Sequence, residues 1–182
     1  MKVSREQVAG NRRRILAAAG RLFRERGFDA VTVAEVMRAA GLTHGGFYGH
    51  FRSKDDLIAQ ALAEVLSPGV ATGGDLPAFT AGYLSRSHCA DLAGGCPMAA
   101  LAAETPRQSP QARQAMTAGL RRQLDRLAAT APGDLPAERR RAAIGAWSAM
   151  VGALVLARMS ADPVLADEVL TETRAWIDDR RP

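Results

Sequence analysis

The most reactive side chain in a distinctive setting is Cys96, in the run Gly94-Gly95-Cys96-Pro97. Proline at a first helical position forfeits no hydrogen bond, which puts Cys96 at a helix cap, where free N–H groups and the helix dipole favour a thiolate. Such a thiolate would react with electrophiles or oxidants; the alternative is a small, buried apolar residue. Cys89, seven residues upstream, would lie about 10 Å away along an unbroken helix, so only a bend at Gly94-Gly95 brings the two thiols within disulfide reach. His88, Cys89, Asp91 and Cys96 show neither Cys-x-x-Cys nor His-x-x-x-His spacing, and no metal or other cofactor is expected. Read as an enzyme, the chain would use Cys96 as nucleophile and His88 as base, but no third orienting group or oxyanion-hole motif accompanies them, so no enzyme is expected.

A second possible site needs no covalent chemistry. Phe79, Tyr83, Met98, Leu101, Met116, Leu120, Trp147 and Met150 would line a cavity for an apolar or aromatic ligand, with His88 or Glu104 supplying polarity; the alternative is ordinary core. The expected effector contacts are therefore Cys96, His88, Tyr83, Met98, Met116 and Trp147.

Charge points to a different partner. Residues 1–52 carry ten Lys/Arg against four acids, a net of +6, whereas residues 53–182 carry fourteen against fifteen. The formal +5 of the chain thus lies wholly in its first third, as in a polyanion-binding head on a neutral body. Arg12 to Arg14 and Arg21 to Arg26 would add salt-dependent, sequence-independent attraction. The alternative is a basic amphipathic helix on an anionic membrane, which would not need the segment Thr43 to Phe51.

At 182 residues with 47% hydrophobic and 24% charged content, the chain folds as one ordinary domain or a small one joined to a medium one. Two cysteines exclude a secreted disulfide framework, and a charged first thirty residues exclude a signal peptide, so the expected location is the cytoplasm. No eighteen-residue window is continuously apolar, and no membrane partner is expected.

The elements that must position these groups read as helices throughout. The first runs from about Ser4 to Arg26 with Ile15, Leu16, Ala19, Leu22 and Phe23 on one face, and stops at Gly27. Thr32 with Glu35 forms a capping box for a short helix with Val33, Val36, Met37 and Ala40 inward, ended by Gly41. Thr43 is a second cap candidate, before His44 to Gly49, and Ser53 with Asp56 a third, opening a helix with Leu57, Ile58, Ala61, Leu62 and Val65. Pro68, Gly69, Gly73, Gly74 and Pro77 mark a loop, and further helices are expected at 77–91, 97–105, 109–130, 136–160 and 163–179. The spacing of Val33–Ala40, Gly41-Leu42 and Thr43–Gly49 is that of a helix-turn-helix, with Val36, Leu42, Phe47 and Phe51 as its small core. The expected fold is all-α: an N-terminal three-helix helix-turn-helix DNA-binding domain over 1–52, then a helical ligand-binding and dimerisation domain over 53–182, about nine helices in total.

The stretch GFDAVTVAEVMRAAGLTHGGFYGHFRSKDDL, Gly27 to Leu57, with its glycine turn, Phe-Tyr pair, aromatic-Arg-Ser-Lys exit and following acids, resembles the DNA-binding domain of the TetR family of bacterial transcriptional regulators. The resemblance implies an all-helical homodimer that binds a double-stranded, near-palindromic operator, most often as a repressor, and is released by a small-molecule effector. Carried over by position, Thr32, Tyr48, His50 and Lys54 would grip phosphates, and Thr43, His44 and Tyr48 would approach base edges. Where threonine is common in the family, this chain has Gly46; with Gly45 and Gly49 it makes a helix that is marginal in isolation and lets its backbone come close to the groove wall. GGCPMAALAAE also resembles a Gly-Cys segment in a subset of such regulators, some of which answer to reactive electrophiles. The run Ala142 to Ala157, AAIGAWSAMVGALVLA, is apolar on nearly every side. With the final helix (Val164, Leu165, Val169, Leu170, Trp176, Ile177) it is the expected dimer interface, Gly145, Ala149, Gly152 and Ala153 allowing close approach; a central core helix is the alternative.

Overall fold

The computed structural model describes residues 4–67 and 76–179, all helix and connecting turns. Among the described residues nine α-helices run in the order α1 (Arg5–Arg26), α2 (Val33–Ala39), α3 (Lys54–Val65), α4 (Leu76–Tyr83), α5 (Arg86–Ala90), α6 (Pro97–Leu101), α7 (Pro110–Thr130), α8 (Pro136–Met159) and α9 (Pro163–Asp178), and a 3₁₀ segment, His44–Gly49, separates α2 from α3. Most of the expected 67–77 loop lies outside the described residues.

Local chemistry sets the boundaries. Ser4 caps α1 through the Gln7 N–H, Ser53 caps α3 through that of Asp56, and Asp162 caps α9 through those of Val164 and Leu165. Gly27 and Gly41 end α1 and the α2 region with φ of 82° and 69°, the left-handed conformation that a side chain resists. Two expected helices are shorter than the sequence pattern indicated. The 77–91 helix breaks after Tyr83, because the Ser85 side chain accepts from the His88 N–H and starts α5 afresh. The 97–105 helix stops at Leu101, and a separate 3₁₀ turn covers Thr105–Arg107, where Pro106 cannot continue the ladder.

Two compact units emerge, one comprising residues 1–67 and 96–119, the other 68–95 and 120–182. The first extends past residue 52, because Leu57, Ile58, Ala61 and Leu62 of α3 are buried in one cluster with Ile15, Phe23, Val36, Phe47 and Phe51. Leu101 and Ala112 belong to the same cluster. Close packing of α1 on α3 is set by Gly20, where a Cβ would come within 2.6 Å of Val65 Cγ1.

In the second unit, α8 packs along α9. Its Ala143, Ala146, Trp147, Met150, Ala153, Leu154 and Ala157 are buried. The opposite face is not: Ile144, Val155 and Leu156 of α8 are exposed, as are Val164, Leu165 and Trp176 of α9. By length and composition α8, with a mean hydropathy of 1.6 over its most apolar window, would suffice to cross a membrane, yet a third of that window is buried inside the protein. Arg158 of α8 donates to the carbonyls of Cys89 (3.0 Å), His88 (3.1 Å) and Asp91 (3.1 Å), closing the C-terminal end of α5 with a cation.

Candidate nucleic-acid interface

The site is built on the turn between α2 and the 3₁₀ segment. At the entry to α2 the capping box is complete: Glu35 N–H donates to Thr32 Oγ1 (3.2 Å), and Glu35 Oε2 accepts from the Thr32 N–H and hydroxyl, both at 2.8 Å. Arg26 Nη1 donates to the other carboxylate oxygen at 2.9 Å, tying α1 to α2. The Thr32 backbone and side-chain donors, with Arg26, hold the Glu35 carboxyl well below the usual range, at about 2. Thr32 is therefore exposed but has its hydroxyl engaged.

The second half of the motif departs from expectation. Residues 44–49 form a 3₁₀ helix rather than an α-helix, and Thr43, at its N-cap, makes no side-chain capping bond. A six-residue segment with glycine at three positions lacks the length and propensity for an α-helix. Tertiary packing holds it in place: Phe47 is 1% exposed and stacks on Phe51 with ring centroids 5.7 Å apart. Leu42 packs against the same core, as the sequence pattern indicated.

Burying Phe47 turns its neighbours outward. Thr43, His44, Gly45 and Gly46 are exposed, and Tyr48 is 75% exposed, an unusual position for a large aromatic ring. None of the three glycines has a positive φ, and a Cβ on Gly45 or Gly49 would meet nothing within 4 Å. Half-buried His50 has its Nδ1 buried with no hydrogen-bond partner among the described residues. The Lys54 ammonium reaches the Asp29 carbonyl at 3.5 Å. Arg13, Arg14, Arg21 and Arg26 lie exposed on α1, giving this unit a basic surface. One arginine that sequence reasoning did not single out is Arg12, whose guanidinium lies 4.7 Å over the Phe51 ring and donates to the His50 carbonyl at 3.3 Å. Nothing in the local sequence marks it, since its partners are thirty-eight residues away or more.

The expected effector residues divide between the units. Tyr83, Trp147 and His88 cluster in the second unit, with Tyr83 5.1 Å from Trp147 and 4.6 Å from His88; Phe79 joins them at 5.8 Å from Tyr83. His88 Nδ1 sits 2.6 Å from the Tyr83 carbonyl. Met98, Leu101 and Met116 fall in the first unit, and Glu104 is not a free polar group there: its carboxylate accepts from the Phe28 N–H at 2.8 Å. Cys96 takes the N-cap position before Pro97, but its residue is 7% exposed, its side chain makes no capping bond and α6 has only five residues, so few peptide dipoles align behind it. Among the described residues, no three His, Cys, Asp or Glu side chains gather as a metal site.

A three-helical unit with a capped entry helix, a glycine turn and a short outward-facing second segment defines a helix-turn-helix protein. Residues 15–61 match the model of bacterial regulatory proteins of the tetR family, and residues 74–173 match the tetracyclin repressor-like C-terminal domain. The chain belongs to the TetR family. It is 45% identical over 57 residues to the HTH-type transcriptional repressor Rv1474c of Mycobacterium tuberculosis, a match covering 31% of this chain and 30% of that relative's length. Its fold is that of E. coli NemR in the reduced form (TM-score 0.71, 22% identity, 93% of this chain and 95% of that one). A TetR-family regulator from Agrobacterium tumefaciens shares it as well (TM-score 0.74, 19% identity, 93% and 98%).

Proposed function

We propose that this chain is a transcriptional repressor that binds a near-palindromic operator as a homodimer and releases it when a small molecule or electrophile occupies the helical body. The observation that carries the reading is the outward surface created when Phe47 enters the core: Thr43, His44, Gly45, Gly46 and Tyr48 exposed together beside a basic helix. In this reading Thr43 and His44 approach base edges, while Tyr48, His50, Lys54 and the capped entry at Thr32 serve the phosphates. Residues 1–52, with Lys54 at the start of α3, supply DNA binding, and helices further along the chain supply ligand binding and dimerisation. The exposed apolar faces of α8 and α9 meet their counterparts in a second copy, which accounts for α8's hydropathy without a membrane. The aromatic cluster of Phe79, Tyr83 and Trp147 beside His88 is the candidate effector contact; Met98, Met116 and Cys96, which belong to the other unit, are separate candidates, Cys96 as the thiol that an electrophile would modify. The reading makes the chain a cytoplasmic regulator rather than an enzyme.

Selection of duplexes from a random library by the purified chain, with its mass measured in solution, tests this. The expected outcome is a two-fold symmetric site bound by a dimer, and a Leu156→Glu variant that is monomeric and binds the selected duplex at least a hundredfold more weakly. A wild-type protein that is monomeric and shows no preference over random competitor overturns it.

A further inference from the structure

Arg12 stands apart from the other arginines of α1. Its guanidinium carbon lies over the Phe51 ring, 4.7 Å from the centroid, and its Nη1 donates to the His50 carbonyl at 3.3 Å. The side chain is half-buried, whereas those of Arg13, Arg14 and Arg21 are exposed. Phe51 in turn stacks on Phe47, the residue that anchors the 3₁₀ segment. Arg12 also adds a small favourable charge for Asp56, whose carboxyl is held below its usual range mainly by the Arg52 N–H, against desolvation, with the Gln60 amide and the Arg52 charge also lowering it. Asp56 accepts from Arg52 N (2.9 Å) and Gln60 Nε2 (2.6 Å) at the start of α3. One planar cation thus touches the end of the recognition segment and neighbours the start of the next helix.

We propose that Arg12 is a positioning residue that fixes the exit of the recognition segment, and so the aim of Tyr48 and His50, by stacking on Phe51 and holding the His50 carbonyl. The inference rests on the DNA-binding reading above. A planar guanidinium can stack on a ring and donate in its own plane at the same time; a lysine ammonium keeps the charge but has no plane to stack. The role is therefore separable from the electrostatic field, which any cation at this place would sustain.

The test uses the full-length chain, Arg12→Lys and Arg12→Met, with two probes: a duplex selected from a random library by the wild type, and a scrambled duplex of the same composition and length. Binding is followed by fluorescence anisotropy over a series of salt concentrations. Both variants are expected to lose at least roughly tenfold in affinity for the selected duplex; the lysine variant, which keeps the charge, should change less than about twofold for the scrambled one, with an unaltered salt slope. The lysine variant decides. If it binds the selected duplex within about twofold of wild type, or loses both duplexes equally, the positioning role is overturned; a salt slope reduced by about one in the methionine variant, with the lysine variant binding as wild type, would make Arg12 a phosphate contact instead. If the wild type itself distinguishes no duplex, the DNA-binding reading fails first, which is a different result from a discriminating wild type matched by its lysine variant.

Discussion

Glycines 45 and 49 offer a substitution whose effects on folding and on DNA binding should have opposite signs. Neither has a positive φ, and a Cβ on either would meet no atom within 4 Å, so the fold gives no steric reason for glycine there. Replacing glycine by alanine at a conformation alanine can adopt stabilises by about 0.4–1 kcal/mol, chiefly by reducing the freedom of the unfolded chain. Replacing both with alanine should therefore stabilise the protein by about 1–2 kcal/mol, which for a chain of this size raises Tm by roughly 2–8 °C. The two new methyls stand on the outward surface, where a groove wall would approach the backbone. The double variant should therefore bind the selected duplex at least roughly tenfold more weakly, or about 1.4 kcal/mol. The assays are differential scanning calorimetry and anisotropy titration on one preparation, with Gly82→Ala as control: it also sits in a helix with open space around its Cβ, in the other compact unit, and should gain stability with DNA affinity unchanged. Tighter or equal DNA binding by the double variant would refute the close approach, and a lowered Tm would refute the steric argument.

Other outcomes follow from the packing of the head. Because the folded-state pKa of Glu35 lies at about 2, below its ordinary value of 4.5, the carboxylate's contribution is complete above that ordinary value and lost as pH falls toward 2. Melting curves from pH 6 to pH 2.5 should thus show Tm falling below about pH 4.5, with a smaller fall in a Glu35→Gln variant, the difference being modest because the carboxylate is solvent-screened. At the α1–α3 contact, Gly20→Ala should cost about 1–3 kcal/mol because its methyl would fall 2.6 Å from Val65 Cγ1. Adding Val65→Ala should recover part of that loss in urea titrations, and a double variant no more stable than Gly20→Ala would argue against the contact.

The legible parts of the molecule were those fixed by short-range chemistry. Thr32 and Ser53 each cap the helix their sequence context indicated, since a cap oxygen and the N–H that donates to it lie three residues apart, whereas Thr43 makes no side-chain capping bond. The inward set Val36, Phe47 and Phe51 was equally readable from spacing. Less readable was where helices fail: Ser85 lies inside a run with good helix pattern, and only its bond to the His88 N–H reveals the break. Contacts between distant residues were invisible in principle. Arg12 looks like any other arginine on a basic face until Phe51 is folded beneath it, and Glu104 like any pocket carboxylate until Phe28 presents its amide. The face of α8 turned outward could be told from the buried one only once its neighbours, α9, α5 and the aromatic rings of α4, had folded around it.

The presence of Leu101, Ala112 and Glu104 in the amino-terminal unit has a consequence for biosynthesis. When the first 67 residues leave the ribosome, the core they share is still missing two apolar members, and the Phe28 amide still lacks its acceptor. Translation must run on for a further forty-five residues, on the order of 2–9 s at bacterial rates, before Ala112 exists to finish the job. A chimaera cut at residue 67 would carry that deficit permanently, so heads exchanged between such proteins would travel best with the later segment that completes them.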